Sequence, residues 1–309
     1  MDGCSFCGIV EICLIINGGD NMTIAVLSDI HGNHVALEKC LDYLKNRDVD
    51  TYCFLGDYTG EFPGIEKVME TLYDLRNNKK CFFLRGNKEN YQLDDLGKAH
   101  PEWDAYPSTV GLLRYANAHL TKKDVEFFNS LPITMTIKNE GLPDIVICHG
   151  SPRKVNEKFA INEQSLNEVA SETDADYIVC GHTHVKMEKE CGTTHIWNPG
   201  SVGASIDVPY SYQFMLLHGV GGKWEPEFVS LDADIDLIIS EMKKAGLYET
   251  APYWTKFTEL LVTGKCGKYT HAGLLGRAMD LCNRKYGKCD WPQVPEECMA
   301  EAFDEICGN

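Results

Sequence analysis

Six times along this chain an apolar run gives way to a short polar segment built from Asp, His, Asn and Gly, and this recurrence constrains the fold more than any other feature. The segments are Asp29-Ile30-His31-Gly32-Asn33, Gly56-Asp57, Arg85-Gly86-Asn87-Lys88-Glu89, His149-Gly150-Ser151, Gly181-His182-Thr183-His184 and Asn198-Pro199-Gly200-Ser201-Val202-Gly203. The runs before them, at 24–28, 51–55, 81–84, 144–148, 177–180 and 194–197, are short, β-branched or aromatic, and continuously apolar. Such runs read as strands buried on both faces. In α/β sheets ligands gather outside the carboxyl ends of strands, so six polar segments in that position converge on one cleft.

The rest of the pattern supports an α/β class. Apolar residues at helical spacing mark 33–46 and 64–76 between the first three strands. Residues 212–217 and 226–231 add two later strands with short connections, which predicts a mixed sheet or a second sheet. Residues 90–132 differ. They are polar and aromatic, punctuated by Pro101, Pro107 and Pro132, with one short helix at 122–130, and read as an insertion over the site. Trp103, Tyr106 and Tyr115 within it fit either a substrate lid or a packed set of loops. From 232 to 309 the periodicity is helical, at 234–245, 272–286 and 295–306, which predicts a helical C-terminal appendage. The domain reading is therefore 1–21 as a leader or mis-called start, 22–231 as the main domain, and 232–309 as the extension; Met22 opens the cleaner strand pattern.

Composition narrows the function. With 29 Lys and Arg against 46 Asp and Glu the net charge is −17, which repels polyanions and makes nucleic acid an unfavourable partner. A small phosphorylated substrate stays compatible, because bound cations reverse the local field. The 14 cysteines are scattered, several inside apolar runs, and read as reduced, buried residues of a cytoplasmic protein; Cys4 and Cys7 form a lone C-x-x-C. The apolar stretch 8–16 carries Glu11 and falls far short of the ~20 residues of a membrane span. Oligomeric state is not legible.

The polar segments supply carboxylate, imidazole and amide oxygen without cysteine, a donor set suited to Mn, Fe or Zn. Their order, D-x-H, G-D, G-N-x-E, H, G-H-x-H, resembles the calcineurin-like metallophosphoesterase superfamily over 22–231, and the 198–203 loop resembles its bacterial and archaeal phosphodiesterase-like branch. The resemblance implies a two-sheet αββα sandwich with two divalent or trivalent metal ions at its edge. By matching position it gives Asp29, His31 and His184 to one ion and Asn87, His149 and His182 to the other, with Asp57 between them. It implies hydrolysis of a phosphoester by metal-activated water, with no covalent enzyme intermediate.

One position departs from the family pattern: Lys88 stands where a proton-handling histidine is usual. An ordinary lysine, with a pKa near ~10.4, is a poor proton shuttle at neutral pH, which favours an activated leaving group. The branches this chain resembles also lack that histidine and tend towards phosphodiesters, so the resemblance implies a phosphodiester substrate. His34 is the nearest candidate to replace that acid, against a plain role in a helix's first turn. Arg85 and Arg153 are candidate phosphate clamps, Arg85 against a structural ion pair, and Asn33 and Ser201 are candidates either to brace the ligand residues or to touch substrate. His100, His119, His195, His218 and His271 fit no ligand spacing and are expected on the surface or in the core. The alternatives are a phosphomonoesterase or a serine/threonine phosphatase-like enzyme, a nuclease, and a non-catalytic scaffold of the same fold.

Overall fold

The computed structural model describes the backbone of residues 13–16 and the whole of residues 21–159, 162–173 and 175–308. Cys4, Cys7 and most of the expected leader lie outside the described residues. Within that leader, Cys13–Ile16 forms strand β1, paired parallel with β5 (Thr134–Asn139). Among the described residues no helix is long and apolar enough to cross a membrane.

The strands that carry the polar segments are β2 (Thr23–Leu27), β3 (Thr51–Phe54), β4 (Cys81–Phe83), β6 (Leu142–Cys148), β7 (Tyr177–Val179) and β9 (Thr194–Pro199). With β8 (Lys186–Cys191), β10 (Ser211–Val220) and β11 (Lys223–Asp232) they make two mixed sheets. One has the order β1-β5-β6-β7-β9-β8 and the other β11-β10-β2-β3-β4. Neighbours β2, β3 and β4 run parallel, as do β6, β7 and β9, so each sheet aligns the carboxyl ends of three strands that carry the polar segments.

Alternation within the apolar runs explains the layering. On β2, Ile24 and Val26 face the opposite sheet and pack with Ile145, Ile147 and Trp197. Their neighbours Ala25 and Leu27 face outward, into the core shared with helices α1 (His34–Leu44) and α2 (Ile65–Asn78). On the first-named sheet, Val146, Ile178 and Ile196 turn outward onto Leu166 and Val169 of α6 (Glu163–Glu172). Strands covered on both faces have no polar side to show, hence the continuous apolar runs. The result is the four-layer αββα arrangement expected.

The extension adds α7 (Ile235–Lys244), α8 (Leu247–Thr250), α9 (Pro252–Val262), α10 (His271–Tyr286) and α11 (Glu296–Cys307). Their buried residues Ile238, Met242, Phe257, Leu274 and Met299 belong to the same core as Phe54 and Phe214 of the second-named sheet. They also pack on α4 (Pro107–His119), a helix of the 90–132 segment that the sequence reading passed over. Gly111 of α4 lets the helices cross closely, since a Cβ there would stand 2.0 Å from the Thr250 carbonyl oxygen. Ser108 at the start of α4 donates its backbone N–H (2.9 Å) and hydroxyl (2.7 Å) to the Glu296 carboxylate. Insertion and extension thus form one roof over the strand ends.

Candidate metal centre

Backbone strain marks the site. Asp29, His31, Asp57, His182 and His184 all adopt φ between 56° and 66°, a left-handed conformation uncommon outside glycine. Five such residues in three loops, each costing of order 1–3 kcal/mol, are tolerated because the surrounding chain over-determines them. Glu89 does much of this work. Its buried carboxylate accepts from the backbone N–H groups of Asp57 (2.9 Å), Tyr58 (2.8 Å) and Gly86 (2.8 Å), tying the β3 loop to the β4 loop. Burial and the Asp57 charge push its pKa up to about 7, against the pull of those three donors. The two loops can meet only because Gly56 and Gly86 lack side chains: a Cβ on Gly56 would lie 2.5 Å from the Gly86 nitrogen.

Asp29 is at the centre and fully buried. Its Oδ2 accepts from the Ser28 hydroxyl (2.5 Å) and the His182 N–H (3.0 Å), which fixes the carboxylate. Its Oδ1 has no hydrogen-bond partner. Around that oxygen stand the Nε2 atoms of His184 (3.2 Å), His31 (3.7 Å) and His149 (3.9 Å). Each of these rings is held through its other nitrogen. His149 Nδ1 lies 2.9 Å from the Leu55 carbonyl, His184 Nδ1 2.8 Å from the Ala204 carbonyl, and His31 Nδ1 2.6 Å from the Glu61 carboxylate. Anchored in this way, all three present Nε2 inward, the orientation that metal-ligating histidines take from their outer partners.

Asp57 lies between two groups of donors: its Oδ2 is 3.8 Å from His31 Nε2 and its Oδ1 is 3.4 Å from His149 Nε2. The donor atoms of Asp29, His31 and His184 fall within 4.8 Å of one another, as do those of Asp29, Asp57 and His149. Asn87 Oδ1 is 3.1 Å from His149 Nε2, and the His182 ring centroid is 5.3 Å from that of His149. All seven expected ligand residues therefore converge. Asp29 is common to both triads, a shared place that the resemblance reserved for Asp57.

The charges suit a cluster that could hold cations. Burial alone would raise the Asp29 and Asp57 carboxyls, yet the neighbouring imidazoles hold both below the usual range. Burial opposes charge on His31 and His149 too, but Glu61 lifts His31 to about 10, and Asp57 and Asp29 lift His149 to about 9. His182, desolvated and facing His149, drops to about 3. An unpartnered buried oxygen and inward-facing imidazole nitrogens fit a metal ion, which replaces those protons as the neutralising charge.

Several expected contacts lie elsewhere. His34 is turned away from the cavity over the site, its Nδ1 3.3 Å from Glu241 and its Nε2 2.8 Å from Lys67. Asn33 caps α1, accepting from Ala36 N–H and donating to the Gly203 carbonyl, so both ends of its amide are engaged. The buried Ser201 hydroxyl bonds the Asp29 carbonyl (2.9 Å) and braces a ligand loop. Arg153 is spent on Glu157 and Glu172 at the surface, and Arg85 does not line the cavity. The structure does not turn these five towards the cavity: Asn33 and Ser201 take the supporting role and His34 the place in a helix's first turn, because short polar spacing near a ligand does not determine which way a side chain points.

Lys88 does face the cavity. Its ammonium lies 2.6 Å from Glu61 Oε1, so although burial favours neutrality, the Glu61 and Asp57 charges raise its pKa and keep it charged. Glu61, which had no signal in the sequence beyond its place after Asp57, thereby joins Lys88 to His31. The second unforeseen residue is His271, at the start of α10, which lines the cavity instead of lying on the surface or in the core. Its Nε2 is 2.9 Å from Thr258 Oγ1 and its ring stacks on Trp254. Lys158 also reaches the cavity wall.

Residues 22–219 match the calcineurin-like phosphoesterase superfamily domain, and the chain belongs to that superfamily. An uncharacterized protein of Methanocaldococcus jannaschii is 25% identical over 199 residues, covering 60% of this chain and 77% of its own length. Among solved structures, a hypothetical protein of Pyrococcus horikoshii superposes with a TM-score of 0.63 at 19% identity, over 77% of this chain and 97% of that one. A metallophosphoesterase of Sphaerobacter thermophilus gives 0.61 at 22% identity, over 75% and 98%. At these identities the two structures speak for the fold. The match to the superfamily domain supports a phosphoric ester hydrolase.

Proposed function

We propose that the protein hydrolyses a phosphodiester of a small organic molecule, using two metal ions held by Asp29, His31 and His184 and by Asn87, His149 and His182, with Asp57 between them. The observation that carries this is the unpartnered Asp29 Oδ1 facing three imidazole nitrogens whose rings are pinned from behind. Metal ions bound there lower the pKa of water and neutralise charge on phosphoryl oxygens. The chain's own residues then orient and stabilise. The Lys88 ammonium, fixed by Glu61, places positive charge at the cavity wall beside Asn87. It stays protonated near neutrality, so it offers electrostatic support for a developing anion and little general acid catalysis. Leaving groups that depart without a proton, as aryl oxides do, suit such a site.

A phosphoprotein substrate is a poorer match. The space over the ligands is a cavity of about 600 Å³, roofed by α4 and the C-terminal helices, a size suited to a small molecule. Metal analysis of the purified chain, together with turnover of bis(p-nitrophenyl) phosphate with Mn and then with a chelator, tests the proposal. The expected result is two ions per chain and activity that the chelator abolishes. Asp57→Ala is expected to lower metal content and turnover together, the latter by two orders of magnitude or more on the order-of-magnitude scale of metal catalysis. Near-normal activity with full chelation would overturn it.

A further inference from the structure

The two ends of the cavity differ in chemistry. At the floor are His31, Asp57, Asn87, His182, His184 and Lys88. At the roof the lining is apolar: Leu112, Leu113 and Ala116 from α4, Trp254 from α9, Leu275 from α10, and Trp291 from the loop before α11. Trp291 is 47% exposed, an unusual state for so large a ring, with one edge seated against Trp103.

Four polar side chains that interrupt this wall already have partners. Ser108 donates to Glu296, Thr109 donates to the Pro292 carbonyl (2.8 Å), Thr270 caps α10 by accepting from Gly273 N–H, and His271 Nε2 meets Thr258. A substrate rich in hydroxyls or further phosphates finds few free partners there, and the cations at the cavity are Lys88, already paired, and Lys158. Hydrocarbon placed against the same wall displaces water at no cost in hydrogen bonds.

Building on the phosphodiesterase reading, we infer that this roof is the subsite for a hydrocarbon substituent. The substrate class is then a monoanionic phosphodiester that carries an alkyl chain of moderate length or an unsubstituted aryl group. The insertion and the extension jointly set this preference, since α4 supplies one side and α9, α10 and the Trp291 loop the other.

The test uses the full-length, Mn-loaded chain and p-nitrophenyl phosphodiesters whose second substituent is methyl, butyl, hexyl, phenyl or thymidine. Their common leaving group makes kcat/KM report the second substituent. Rises of about three- to fourfold per added methylene from methyl to butyl are expected from burial of hydrocarbon, with thymidine no better than methyl. Calorimetric titration with methyl-, hexyl- and phenylphosphonate gives a readout free of turnover, and hexylphosphonate is expected to bind at least about tenfold tighter than methylphosphonate. Leu275→Trp, which fills the roof, and Trp291→Ala, at an exposed position, should each shrink both ratios towards one. A flat diester series with hydrolysis intact, or a preference for thymidine, overturns the subsite and leaves the phosphodiesterase reading standing. Inert diesters with the phosphonate ranking preserved overturn the enzymatic reading and keep the subsite.

Discussion

Glu89 has no contact with the cavity, yet its carboxylate is the joint on which the ligand loops hang. It satisfies three backbone donors that have no other acceptor nearby, one of them on Asp57 itself. Glu89→Gln removes one acceptor oxygen and turns an amide N–H₂ towards N–H groups. Because leaving a buried donor unmade costs about 1–3 kcal/mol, a loss of about 3 kcal/mol in urea unfolding is expected, with metal affinity weakened as the β3 and β4 loops part. An unchanged midpoint would mean that water serves those N–H groups. Lys88 is the other residue at which chemistry and structure meet. Lys88→His removes the ammonium that balances Glu61, whose pKa is held well below the ordinary value by Lys88 and His31 against its burial. The exchange is expected to raise turnover of an alkyl-leaving diester about tenfold relative to an aryl one, as a titrating donor enters, and to cost about 2 kcal/mol of stability. If alkyl and aryl rates move together, position 88 handles no proton. Glu61 and Glu89 both escape a reading of the sequence as ligands or anchors, since their roles depend on partners 27 to 32 residues away.

At the level of elements, what could be read was what is encoded over a few residues. A strand followed at once by Asp, His or Asn fixes where the ligand emerges, so seven side chains from five strand ends could be placed together without coordinates. Of the helices in 235–307, α7, α10 and α11 are equally visible through their periodicity, but periodicity states only that one face is buried and is silent on the partner. That partner proves to be α4, hidden behind Pro107, which reads as punctuation in the sequence and is in fact the first residue of the helix, where proline is well tolerated. Strand β8 is obscured in the sequence because four of the six residues of KMEKEC are charged and only Met187 and Cys191 pack against the core under α6, as befits the edge of its sheet. The packing of the extension gives a direct prediction. Ending the chain after residue 231 uncovers Phe214, Val229, Phe54 and the inner side of α4 from their cover of Ile238, Met242, Phe257 and Met299. Each large side chain so exposed forfeits about 1.5–3 kcal/mol, so the truncated chain is expected to aggregate or to bind a hydrophobic dye strongly. A soluble, cooperatively melting 22–231 fragment would instead establish the extension as an independent unit.

The whole molecule sets a field that the site must overcome. A net charge of −17 repels any phosphate ester at long range, while metal ions held by the ligand cluster would attract it only once it has entered the cavity. Salt screens the first effect more than the second, because the distant carboxylates act through solvent and the ligand cluster is enclosed; the Debye length falls from about 30 Å at 0.01 M to about 8 Å at 0.15 M. Encounter with an anionic diester is therefore expected to quicken with added salt, kcat/KM rising about two- to threefold between 10 and 150 mM NaCl, with kcat unchanged. Substrate steering by a basic rim would give the opposite slope. The sign thus distinguishes a site that draws its substrate in by charge from one that waits for it and holds it by metal and hydrocarbon contacts. Lys158, exposed at the cavity wall, is the residue most able to tilt that balance: Lys158→Glu should steepen the salt dependence, and stopped-flow binding of phenylphosphonate at low ionic strength reads the change in association rate directly.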